Sequence, residues 1–219
     1  MPEIADRFHD RYDAVLHLLD RQVISSDGLL VCKVDDLELV ETGDGVLVAT
    51  ALLAGTPALL PRLSGRLGAV VRDFWVRMGD EQADRRLPYR IDFALVAELT
   101  SAVTLTRPRH GVLARVPGEG GGPTRHRLGE LLSMAVEAPE GQRRILDLRL
   151  DERHRVRSLV IGHGRPGAML GYDEREGRTP NQGPALVRTI VRALHRHARE
   201  VPFDLVRIDW QEQRVRLAG

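Results

Sequence analysis

Along this chain apolar residues arrive in short bursts cut off by turn signals, the pattern of many short strands rather than of long helices. Lys33 to Leu39, "KVDDLEL", and Arg144 to Leu150, "RILDLRL", read as strands. So do Ala51 to Gly55 and Ser158 to Gly162, each an apolar run that ends in glycine. Asp27-Gly28 and Glu140-Gly141 are turn signals, since glycine reaches the left-handed backbone region without steric cost. Two stretches carry the helical period instead. From Arg66 to Met78, Leu67, Val70, Val71, Phe74, Trp75 and Met78 share one face. From Ala185 to Arg199, Leu186, Val187, Ile190, Val191, Leu194 and Ala198 form an apolar arc, with Arg188, Arg192, His195, Arg196 and Arg199 opposite. A further short helix is expected at the start, through Ile4, Phe8 and Tyr12.

The pattern occurs twice. "PGEGGGP", Pro117 to Pro123, has too many glycines to pack a core and reads as a linker. Across it, Leu18 to Gly28, "LLDRQVISSDG", lies without a gap over Leu131 to Gly141, "LLSMAVEAPEG". After a two-residue gap Lys33 to Leu39 lies over Arg144 to Leu150, so that Asp36 faces Asp147. The glycine-ended strands and the predicted helices follow in the same order, and Phe-x-Leu-Val closes both halves at Phe93 to Val96 and Phe203 to Val206. Landmarks in one order indicate a tandem repeat. The expected division is a first domain over 1–112, a Gly-rich linker over 113–124 and a second domain over 125–219.

At these landmarks the chain resembles the PRC-barrel family, the small β-barrel fold of the photosynthetic reaction centre H subunit and of the C-terminal domain of a ribosome-maturation factor. "LLDRQVISSDGLLVCKVDDLEL", "LLSMAVEAPEGQRRILDLRL", "DFALVAEL" and "VPFDLVRID" carry the resemblance, which covers most of both halves. It implies a mainly β fold with some α: two tandem small antiparallel β-barrels, each with one added amphipathic helix. It also implies a docking module, because these matches are packing and turn positions and the family has no general catalytic motif. The added helices depart from the minimal barrel, so no particular partner carries over.

Gly162, Gly164 and Gly167 spell G-x-G-x-x-G after Leu159-Val160-Ile161. A dinucleotide loop needs its third glycine to lead at once into a helix whose N-terminus holds the pyrophosphate. Here "AMLGYDEREGRTPNQGP" follows, rich in turn residues, and the first half has no G-x-G at the sister position. A wide turn is expected, and no cofactor. His195 and His197 stand about 200° apart on a helix and cannot share a metal alone. Asp35 and Asp36 point to opposite faces of a strand, which excludes a simple paired-carboxylate site. Asp209-Trp210-x-Glu212 reads as a strand end with a half-buried tryptophan. No G-x-S-x-G or P-loop occurs, so no enzyme activity is expected.

Charge changes the picture only by half. The net charge is +1, yet 14 basic and 17 acidic residues precede Pro117, a balance of −3, while 18 and 14 follow it, a balance of +4. An anionic partner should prefer the second half, through Arg188, Arg192, Arg196 and Arg199. The favoured function is a non-enzymatic scaffold that docks a protein partner, acidic or associated with a membrane surface. The alternative is an RNA- or ribosome-associated assembly factor using the basic helix, which 4% aromatic content and a near-neutral charge make the weaker reading. The single cysteine, Cys32, permits no internal disulfide and suits a buried small hydrophobe in a reducing cytoplasm. "MPEIADRF" has acids where a secretory signal would have bases, and the uncharged stretch Gly45 to Pro61 is broken by "AGTP", so neither a signal nor a transmembrane segment is expected.

Overall fold

The computed structural model describes residues 11–59, 87–115, 124–163 and 198–218. They are mainly β, in curled sheets that include a half-barrel. The first half runs β1 (Arg11–Asp13), α1 (Ala14–His17), β2 (Gln22–Ile24), β3 (Leu30–Lys33), β4 (Asp36–Glu41), β5 (Leu47–Ala54) and α2 (Thr56–Leu59). It continues with β6 (Tyr89–Asp92), β7 (Val96–Leu99), β8 (Val103–Leu105) and β9 (Ala114–Arg115). The second half runs β10 (Arg125–Arg127), α3 (Leu128–Ser133), β11 (Ala135–Ala138), β12 (Gly141–Asp151), β13 (Val156–Gly162), β14 (Arg199–Pro202), β15 (Val206–Asp209) and β16 (Arg214–Leu217). The sheet orders are β10-β4-β5-β6-β9, β3-β2-β8-β7 and β14-β13-β12-β11-β16-β15, with β1 added on β12.

Local chemistry explains the turns. Gly28 and Gly141 have φ of +78° and +109° at the two acid-glycine turns, where a Cβ would be strained. The Phe-x-Leu-Val segments are short 3-10 turns, Phe93–Leu95 and Phe203–Leu205, each running into a strand. The strands are not all antiparallel as expected: β2 pairs parallel with β8, Val23 beside Val103, and β11 pairs parallel with β16, Val136 beside Val215. A long excursion separates the members of each pair, and a hairpin is not required.

Tyr12 lies in a strand rather than in the expected helix, because β1 is drawn onto β12 with Tyr12 opposite Leu150 and Asp13 opposite Arg149. β1 belongs to the first half and β12 to the second. The reverse also holds: β10 pairs with β4, His126 opposite Leu39 and Arg127 opposite Glu38. The helices cross over with the strands. The backbone N–H groups of Val15 and Leu16, at the start of α1, donate to the Asp147 carboxylate at 2.7 and 3.1 Å. Gly129 N–H, at the start of α3, donates to Asp36 Oδ1 at 2.9 Å. These are orphan donors that a helix must satisfy outside itself, and each half satisfies them for the other.

Each half therefore seats a strand-and-helix arm in a cradle provided by its counterpart. The core follows this exchange, since one buried cluster runs without interruption from Leu18 and Leu37 to Leu131, Leu148 and Val215. Ala114 and Arg115, within the stretch read as linker, pair with Arg90 and Tyr89. The segment "PGEGGGP" expected as a linker and the stretch 66–78 expected as a helix lie outside the described residues.

Candidate functional site

A cleft of about 540 Å3 lies where the β10 edge of one sheet meets the β15 edge of another. Its walls come from both halves: Glu41 from the end of β4, Thr124 just before β10 and His126 within it, and Arg207 to Gln211 with Arg216 from the last hairpin. Local structure fixes the tryptophan. Asp209 Oδ1 accepts the N–H groups of Gln211 and Glu212 at 3.1 and 2.9 Å, and Gln213 Nε2 donates to the Trp210 carbonyl at 2.8 Å. The turn is thereby closed with Trp210 at its shoulder, half-buried against the core.

His126 lies flat on Trp210, with ring centroids 3.6 Å apart and planes 7° from parallel. Burial pushes the His126 pKa below its ordinary value, against the pull of Glu130 and Glu41, so the ring is neutral at pH 7. A neutral imidazole on an indole is an amphipathic platform with polar tips, and the surrounding charges are mixed. Arg207 Nη1 folds back to the carbonyls of Asp204 and Val206 at 3.1 and 3.0 Å. Arg216 bonds Glu212 and Glu137 at 2.9 and 3.4 Å. Glu41 and Asp209 add acids to the rim.

A second aromatic group marks the equivalent seat in the other half. Tyr12 donates its hydroxyl to, or accepts from, His154 Nδ1, and His154 stacks on Phe93 at 4.3 Å. His154 has φ of +61° at the tip of the β12–β13 turn and is pushed down to about 4 by burial. This seat is filled rather than open.

Of the arginine stripe expected on a second-half helix, Arg199 is the member that lies among the described residues. Arg199 does not end a helix but begins β14, opposite Ile161, where pairing with the sheet overrides the helical period. It is exposed and bonds Glu140 at 3.0 Å. Arg188, Arg192 and Arg196 lie outside the described residues, as do His195, His197, Gly164 and Gly167. Gly162 has a packing reason: a Cβ there would stand 2.8 Å from Leu146 Cδ1. Asp35 and Asp36 do diverge. Asp36 is fully buried, while Asp35 is half-buried and accepts the Gly55 N–H at 2.7 Å. Cys32 is half-buried, and burial together with Asp35 pushes its thiol up to about 11, away from thiolate chemistry at neutral pH.

Among the described residues no group of three or more His, Cys, Asp or Glu side chains could hold a metal, and no helix is long and apolar enough to cross a membrane. In comparisons with known proteins no family model matches the chain, and no curated protein does. His126 was not singled out by the sequence. A signal existed: "RYD" before the first arm helix and "RHR" before the second occupy the same place once one residue is dropped between them.

Proposed function

We propose that this chain is a non-enzymatic docking protein built from two PRC-barrel-like units, and that it holds a protein segment in the cleft beside His126 and Trp210. The observation that carries the reading is the stacked His126–Trp210 pair at the mouth of an open cleft between two strand edges. Rigid aromatic groups beside arginine are the usual anchors of protein interfaces, since they contribute contact area at low entropy cost. Strand edges add backbone groups that an extended segment can pair with. Arg188, Arg192 and Arg196 remain the proposed contacts for an acidic part of the same partner, with Arg199 already engaged by Glu140.

RNA is the second reading, because an aromatic beside arginines is also a base-stacking platform. Two features favour protein over RNA. Glu41 and Asp209 on the rim would repel phosphates, and Arg216 is already paired with Glu137 and Glu212. The test is affinity purification of tagged full-length protein from its native host, with and without ribonuclease, beside Trp210→Ala and His126→Ala variants. A ribonuclease-resistant partner lost from both variants is the expected result. A partner kept by both variants removes the cleft from the reading, and retention abolished by ribonuclease replaces protein docking with RNA binding.

A further inference from the structure

We infer that the two arm-and-cradle interfaces are sorted by the sign of their charges, so that each cradle admits the arm of the unlike half and rejects its own. The strand ladders define equivalent places. Glu38 stands two residues past the buried Asp36, opposite Ala51 on β5; Arg149 stands two residues past the buried Asp147, opposite Ser158 on β13. On the next strand Arg90 and Glu200 are equivalent, each one residue before the partner of an aligned core position, Ile91 opposite Leu52 and Val201 opposite Leu159. On the arms, Arg127 is opposite Glu38 and Asp13 is opposite Arg149.

At every one of these places the charge is inverted. In the first cradle an acid is held by bases: Glu38 bonds Arg90 at 3.1 Å and Arg125 of the arm at 3.4 Å. In the second cradle a base is held by acids: Arg149 forms ion pairs with Asp13 of the arm, Nε to Oδ1 at 3.2 Å outside hydrogen-bond geometry, and with Glu200 at 2.8 Å. The central side chains are 5% and 21% exposed, so salt screens them far less than surface pairs. Were each arm to fold back on its own half, Asp13 would face Glu38, and Arg125 and Arg127 would face Arg149. Like charges directly across a strand pair are destabilising, and removal of the partner from a largely buried ion costs more than the pair contributed. Arg11, at the place of Arg125, makes that position basic in both arms and sorts nothing; the discrimination rests on Asp13 against Glu38 and on Arg125 and Arg127 against Arg149, like charges at the wrong seats and unlike charges at the right ones.

The experiment uses the full chain and separates attraction from sorting. In the variant Asp13→Arg, Arg149→Glu, Glu200→Arg the second cluster takes the signs of the first, so every native pair still attracts but both arms are basic and both cradles acidic. The expected result is a folded chain that has lost its single arrangement: doubled amide signals by NMR and a broader size distribution by chromatography than wild type. The mirror variant, Glu38→Arg with Arg90→Glu, Arg125→Glu, Arg127→Glu and Asp92→Asn, puts an acid opposite an arginine in both cradles and is expected to behave likewise; the asparagine removes the carboxylate that stands 3.2 Å from Arg90 and keeps an acceptor for the Ala94 N–H. Asp13→Arg alone should lower the folding equilibrium constant about tenfold or more. One set of signals and the wild-type elution in both inverted chains would overturn the proposal, because the clusters would then hold the arms without sorting them. Failure of both to fold would overturn it too, since each sign would then be demanded by its own half. An unchanged stability in Asp13→Arg would do the same.

Discussion

Tyr12 and His126 occupy the same seat in opposite halves, opposite Leu150 and Leu39 on equivalent strands, and the two seats have been put to different ends. Tyr12 is 4% exposed and closed in by His154, which reaches over from the β12–β13 turn and rests on Phe93. His126 is half-buried and rests on Trp210 beside an open cleft. The turns explain part of the difference. His154 and Gly45 sit at the matching positions of their turns, each with positive φ, one closed by Asp151 and Arg155 and the other by Thr42 and Val46. Where one turn carries an imidazole the other carries no side chain, and a Cβ at Gly45 would meet nothing within 4 Å. One seat is thus packed while the other is left accessible, although both lie at corresponding registers on their strands.

The largest test of that contrast compares the two closing phenylalanines. Phe93 is 5% exposed and stacked under His154, whereas Phe203 is half-buried. Phe93→Ala should cost about 3–4 kcal/mol and Phe203→Ala about 1–2 kcal/mol in urea unfolding. Equal losses would show that the filled seat is no better packed than the open one.

Next in size is the pH dependence of the filled seat. Burial holds His154 near 4, against about 6.5 for an unperturbed histidine. A depressed folded pKa means that its stabilisation is fully present above about pH 6.5 and is lost as pH falls toward 4, on the order of 2 kcal/mol across that window. Asp147 has the opposite sense, because burial and Asp13 push it up to about 8 against its three N–H donors; its contribution falls as pH rises. Stability measured from pH 4 to 7 in wild type and His154→Asn isolates the histidine, since Asn tolerates positive φ and Asp147 is common to both. The gap between the two proteins should narrow as pH falls. A constant gap would remove the seat's titration from the account.

The smallest effect concerns two glycines that end equivalent strands for different reasons. Gly55 has φ of +99° with its nearest neighbour 3.7 Å from a Cβ, while Gly162 is limited by Leu146 at 2.8 Å. Each alanine substitution should cost about 1 kcal/mol, the first through the backbone and the second through overpacking. Leu146→Val should then partly rescue Gly162→Ala. No pairing of that kind should rescue Gly55→Ala.

Much of the local framework was legible because its causes are local. Asp27-Gly28 and Glu140-Gly141 announce turns through their own chemistry, and the alignment set Asp36 over Asp147, two carboxylates to which the fold gives matching duties. The arms were not legible. A strand of three residues such as β1 or β10 has no period to read, and Tyr12 fitted a helical pattern as well as a strand. Their seats are fixed by partners far away in the chain, through charges that mean nothing until paired. For the cleft, Trp210 stood out as a half-buried strand end, but His126 acquires its role only when β10 lies on β4. The parallel pairing of β2 with β8 was hidden for the same reason.

The exchanged arms also bear on how the molecule is made. Val15 and the Asp147 carboxylate that satisfies it are 132 residues apart, so at synthesis rates of about 5–20 residues per second the first arm waits roughly 7–26 s for its cradle to be added. The second arm has no such delay, because Asp36 precedes Gly129 and its cradle already exists when α3 appears. A ribosome building this chain therefore carries an occupied first cradle before the opening residues have anywhere to go, and Tyr12, Val15 and Leu16 stay exposed to solvent or to a chaperone until β12 is complete.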